Sequence, residues 1–206
     1  MRWMFIVLVL VLRVNCASAQ ANSRTFTSVD GAFRFQYPSS LLRCRQKRNQ
    51  PDVWLPIESC NGYDPVCDDH GADPGSTTLV CFAYPMEKYE NSDLEGAAFY
   101  VAEVQSKDRR DCLSGSPNWA PGMRRGPEKA MINGVKFTAF EIGDAGLGHY
   151  LEGDVYRSFH RNKCYSLSIR VASSYNPDNI KALSNEQWNE VRSSLKRVLD
   201  SFKFLR

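Results

Sequence analysis

The stretch DAGLGHYLEGDVYRSFHRNKC, residues 144–164, holds two of the chain's three histidines, His149 and His160, close to Glu152, Asp154, two tyrosines and Cys164. A histidine beside a carboxylate is the raw material of general acid–base chemistry. His160, Asp154 and Ser166 also supply the three residue types of a nucleophilic triad. The spacing works against a histidine pair, because residues eleven apart on a regular strand point to opposite faces. Only a bulge at Gly153 would bring His149 and His160 together. The same alternation gathers Asp154, Tyr156, Ser158 and His160 on one strand with Ser166, Ser168 and Arg170 on the next. These seven residues form the candidate binding face, a thinly covered or solvated sheet surface where a ligand could lie.

A second cluster lies upstream. Cys60, Cys67 and His70 sit among Asp64, Asp68, Asp69 and Asp73. The spacing C-x6-C-x2-H is not a standard zinc pattern. The alternate-acid spacing of a calcium-binding EF-hand loop is absent as well. Metal binding through the acidic loop at 58–73 is therefore an alternative rather than the expectation. The chain has no G-x-S-x-G, H-E-x-x-H, G-x-x-x-x-G-K or C-x-x-C motif, and no cofactor or metal is expected. The reading leans away from an enzyme. A hydrolase using His160 or His149 remains the catalytic alternative.

The elements that must position these residues are mostly strands. Ala32–Pro38 alternates with Phe33, Phe35 and Tyr37 on one face after an Asp30-Gly31 turn. Thr77–Pro85, Ala97–Val104 and Val135–Ile142 read as further strands, the last opened by Asn133-Gly134, the strongest hairpin signal in the chain. In the opening stretch, Leu151, Val155 and Phe159 alternate with polar residues, and so do Tyr165, Leu167, Ile169 and Val171. A three-residue loop at 161–163 would put both apolar sets on one face. Residues 45–76 and 106–128, rich in Pro, Gly, Asp and Asn, read as loops, with Trp54 and Trp119 in them. Ser184 and Gln187 form a capping box. Trp188, Val191, Leu195, Val198, Leu199 and Phe202 then repeat at helical spacing, with Arg192, Lys196 and Arg197 facing outward. A shorter helix is expected from Pro177, with Asn176 as its cap.

The N-terminus gives an address. Arg2 precedes ten apolar residues, Trp3–Leu12, and Ala17-Ser18-Ala19 is a small-residue cleavage site. This is the pattern of a secretory signal peptide over residues 1–19. The apolar run is too short to span a bilayer as a helix, so no transmembrane anchor is expected. Residues 20–206 are expected to form one exported domain, periplasmic or extracellular. The formal charge of +3 falls to +1 without Arg2 and Arg13, which offers no global field for nucleic acid. Cys16 leaves with the signal. Cys44, Cys60, Cys67, Cys81, Cys112 and Cys164 remain, an even number that points to three disulfides in an oxidising compartment. Six cysteines allow 15 connectivities. Cys60 and Cys67 are the easiest pair to close across Gly62 and Pro65.

Two stretches resemble PsbP-like proteins: Asp30–Pro38 at the start and the amphipathic helix followed by Leu199-Asp200-Ser201-Phe202-Lys203-Phe204 at the end. The resemblance implies an α/β/α sandwich around a central antiparallel sheet. It also implies a non-enzymatic role in binding or assembly, as for most of the family, which includes extrinsic photosystem subunits and many exported bacterial proteins of unknown role. It carries over no functional residue, because none of the plant proteins' metal-binding or photosystem-docking residues is matched. The expectation is an α+β, disulfide-stapled, non-catalytic module that binds a protein or cell-envelope component.

Overall fold

A computed structural model describes residues 22–47, 50–56, 76–114, 123–174 and 181–206. The signal-peptide reading, Cys60, Cys67, the acidic loop at 58–73, Trp119 and the helix expected from Pro177 lie outside the described residues.

Eight strands form one antiparallel sheet: β3 (Leu42–Lys47), β4 (Gln50–Pro56), β5 (Ser76–Ala83), β6 (Leu94–Val104), β7 (Met123–Ile132), β8 (Val135–Gly146), β9 (His149–His160) and β10 (Lys163–Ser174). Their order is β4-β3-β5-β6-β10-β9-β8-β7. β1 (Ser23–Thr27), β2 (Phe33–Pro38) and the C-terminal β11 (Lys203–Phe204) form a second, three-stranded sheet. The helices are α1 (Arg109–Ser114) and α2 (Asn185–Ser201), with a short 3-10 turn at Met86–Tyr89. Two stretches expected to be loops are thus partly regular. β3 and β4 fall within 45–76, with Trp54 on β4, and α1 and the start of β7 fall within 106–128.

One face of the large sheet packs against α2 and the small sheet. There Phe26, Phe33 and Phe35 meet Phe82, Phe99, Tyr165 and Phe202, with ring centroids 5.1 Å apart for Phe26–Phe35 and 5.2 Å for Phe35–Phe99. The capping box forms as the sequence predicts. Ser184 Oγ accepts from the Gln187 amide, and the Gln187 side chain accepts from the Ser184 amide. Val191, Leu195, Val198 and Leu199 are buried along one stripe of α2. On the opposite sheet face, α1 is tied to β10 by the Cys112–Cys164 disulfide, with Cα atoms 5.6 Å apart. Around that bridge Val104, Leu113 and Phe159 pack together. Cys81 is also disulfide-bonded. The large sheet therefore carries a helix on each face, in line with the expected α+β sandwich, and the three-stranded sheet shares the α2 side.

β7 to β10 form a meander joined by three two-residue hairpin turns: Asn133-Gly134, Leu147-Gly148 and Arg161-Asn162. All six residues have positive φ, from 47° at Asn133 to 83° at Gly148. Positive φ at both central positions marks the type I′ turn, whose twist matches that of the flanking strands. The last turn corrects the expected three-residue loop, because Lys163 pairs with His160 and is part of β10. That single residue shifts the register. Odd residues of β10 now share a face with even residues of β9, which is the inversion a one-residue slip produces.

Candidate functional site

The slip divides the candidate face in two. Asp154, Tyr156, Ser158 and His160 lie on the α2 side with Leu167, Ile169 and Val171, whereas Ser166, Ser168 and Arg170 lie on the opposite side. Those three are buried rather than solvated. Ser168 Oγ donates to the Asp154 carbonyl at 3.3 Å, and the Arg170 guanidinium lies 4.5 Å from the Tyr100 ring centroid. Ser158 Oγ donates to the Lys136 carbonyl at 3.0 Å. The seven residues are therefore not one surface.

The triad arrangement fails for the same reason, since Ser166 projects from the face opposite His160. The His160 ring stacks on Phe204 with centroids 4.1 Å apart. Burial holds its pKa below the usual histidine value, the positive charge of Arg161 adds to this, and a hydrogen bond with the Leu205 backbone opposes it. β9 and β10 pair without a bulge from His149 to His160, so the two histidines stay on opposite faces. His149 lies at the far end of β9, its Nδ1 2.8 Å from Glu95 Oε1.

What the fold does assemble on the α2 side is a cleft. Between α2 and strands β8, β9 and β10 lies an opening of about 580 Å³. Ile169, Val171 and Leu199 give it an apolar floor; Asp154, Tyr156 and Glu141 line the sheet side; Arg192 and Lys196 line the helix side. Residues Glu141 and Asp154 are direct partners on β8 and β9. Like charges directly opposite each other on neighbouring strands are destabilising. Among the described residues neither carboxylate has an ion-pair partner. The cations nearby are already engaged: Arg192 bonds Glu152, Arg124 lies 3.9 Å from the same carboxylate, and Lys196 pairs with Asp200 at 2.6 Å. The Asp154 carboxyl opens to the cleft but is crowded by its walls. Burial pushes its pKa up and the Glu141 charge adds to that, while Arg192 pulls it down. Burial also pushes Tyr156 up to about 12, helped by Asp154. The serine that lines the cleft, Ser193, donates its hydroxyl to the Glu190 backbone carbonyl at 3.1 Å rather than to a base, and no group of three metal-capable side chains occurs among the described residues.

A smaller opening of about 160 Å³ adjoins the cleft and shares Glu141, Asp154 and Tyr156 with it. It is completed by Arg125, Gly126 and Glu128 of β7, so the two form one groove from α2 to the edge strand. The sequence reading missed Glu141 and the helix cations as site residues. Only half of the signal was present: Asn133-Gly134 announces where β8 begins, but the pairing of Glu141 with Asp154 is set by a second two-residue turn, Leu147-Gly148, which the sequence does not announce.

No family model matches the chain, and no curated protein matches it. Among solved structures it is similar to three at low identity. One is a protein from Bacteroides thetaiotaomicron, with TM-score 0.45 and 10% identity over 89% of this chain; the chain spans 48% of that structure's length. A second is the cyanobacterial PsbP, CyanoP, from Synechocystis, with TM-score 0.43 and 13% identity over 92% of this chain and 96% of that one. The third is LpqN of Mycobacterium tuberculosis, described as involved in cell envelope biogenesis, with TM-score 0.48 and 7% identity over 90% and 91% of the two chains. No helix among the described residues is long and apolar enough to cross a membrane, which says nothing of β-barrels.

Proposed function

We propose that the chain is an exported, disulfide-stapled binding module that acts without catalysis and takes its ligand in the α2 cleft. The observation that carries this reading is the cleft itself: a preformed opening with an apolar floor and convergent charged groups, held on strands and a helix rather than on loops. Sites of that composition bind ligands by shape plus a few placed polar contacts. Export rests on the N-terminal pattern of residues 1–19 and on the cysteine usage, and the Cys112–Cys164 bridge fits an oxidising compartment. The partner is a protein or a cell-envelope component.

The test uses the mature chain as bait on a solubilised envelope fraction, beside a Ser193→Trp variant. Ser193 lines the cleft from the exposed side of α2, so an indole there fills the opening without entering the core. Loss of capture by the variant, with its melting temperature unchanged, is expected. Equal capture by both proteins would move the site elsewhere. Turnover in ester, glycan or peptide hydrolysis assays would overturn the non-catalytic reading.

A further inference from the structure

We infer that the groove accommodates an extended peptide segment and takes one of its lysine side chains between Glu141, Asp154 and Tyr156; this rests on the cleft being the binding site. The groove runs from α2 across β9 and β8 to the edge strand β7. A run of that kind suits a linear chain more than a compact molecule. At its middle, where the two openings meet, stand two carboxylates on directly paired residues, with no ion-pair partner among the described residues, beside an aromatic ring, while Arg192 and Lys196 act on Asp154 from further off. An ammonium placed there removes the like-charge repulsion and gains charge-assisted hydrogen bonds. The face of Tyr156 adds a cation–π contact. A lysine reaches such a point on a four-carbon stem that lies along apolar surface, and Ile169 and Val171 supply that surface.

The rest of the rim limits the ligand to one positive charge at this point. Glu152 is held by Arg192 and Arg124, and Glu128 by Arg125 at 2.7 Å. A free polyamine would therefore find one open acidic point and cations around it. The same cations favour an acidic residue two positions from the lysine, on the same side of the extended peptide. Binding of the ammonium lowers the Asp154 pKa back toward the ordinary carboxylate range, so it expels protons wherever Asp154 is partly protonated when free.

The test titrates the mature, oxidised chain with a blocked tetrapeptide, Leu-Lys-Leu-Glu, by calorimetry. Its analogues carry norleucine or acetyl-lysine in place of lysine, and spermidine is run in parallel. Expected is binding that weakens about tenfold or more for both analogues, as loss of a hydrogen-bonded charge does, and by a similar factor in Asp154→Asn and Glu141→Gln. Proton release should grow as the pH is lowered toward the carboxylate range, and should vanish in Asp154→Asn. Analogue peptides binding as well as the lysine peptide, with Ser193→Trp abolishing all of it, would overturn the lysine assignment and leave the cleft as the site. Spermidine binding tighter than the peptide would overturn the peptide in favour of a small amine. Peptide binding indifferent to Ser193→Trp would overturn both readings.

Discussion

The two halves of one sheet face are built on opposite rules, although the same helix crosses both. Over β5, β6 and the first part of β10, the small sheet closes on the large one with stacked rings, and Phe33, Phe35, Phe82 and Phe99 are essentially without solvent. Around Glu141 and Asp154, away from the Phe204–His160 stack, two carboxylates with no ion-pair partner among the described residues line an opening of about 580 Å³ between α2 and the sheet. The first half holds the fold together; the second spends stability on a charged recess. Buried apolar area and packing enthalpy concentrate in the aromatic half, so a ligand site can tolerate electrostatic conflict in the other.

The largest expected break in this contrast is Phe35→Ala. Removing a fully buried ring that touches Phe26, Phe82 and Phe99 should cost about 3–5 kcal/mol, read as a lower urea midpoint. Next comes the double change Cys112→Ser with Cys164→Ser. The bridge closes a separation of 52 residues, and its loss should cost about 2–4 kcal/mol, visible as a melting temperature that no longer responds to reductant at this pair. Ser184→Ala removes the helix cap under which both halves are aligned and should cost about 1 kcal/mol, measured by thermal unfolding. The smallest change has the opposite sign. Asp154→Asn should stabilise the unliganded chain at neutral pH by about 0.2–1 kcal/mol, because it ends a like-charge pair. The folded Asp154 has a raised pKa, so its protonated form is the better fit. Its contribution is fully favourable below the unfolded value and is lost as pH rises through the folded one. The advantage of Asp154→Asn should therefore shrink to nothing in acid, and a gain that persists there would break the comparison.

Much of the stable half was legible in the sequence. Phe33 and Phe35 alternate visibly before Pro38, the apolar stripe of α2 keeps helical spacing for four turns, and Ser184 and Gln187 announce where it starts. Asn133-Gly134 declares its turn, because both residues tolerate positive φ at little cost. The site was less legible. Arg161-Asn162 carries no such declaration, since arginine pays for positive φ, and the flanking alternation fits a two- or a three-residue loop equally well. The apolar pattern decides which residues share a strand face, but only the turn length decides which faces of two strands coincide. The pairing of Glu141 with Asp154 depends on another undeclared turn, Leu147-Gly148. β3 and β4 were hidden for a different reason: Arg43, Arg45, Lys47, Pro51 and Asp52 are poor strand formers by composition, and the pairing of β3 with β5 and of β4 with β3 overrides that.

The small sheet joins the two ends of the described chain. β11 pairs with β2, and the Gln36 amide donates to Ser201 Oγ across a separation of 165 residues. A chain synthesised from its N-terminus makes Phe33 and Phe35 long before Phe202 and Phe204. Until the final segment arrives, the aromatic side of β2 lacks its cover from α2 and its strand partner on one edge. The aromatic side of β2 thus stays open until α2 and β11 have been made, and β11 is the latch. Loss of β11 should therefore be punished far more by aggregation than by lost contacts.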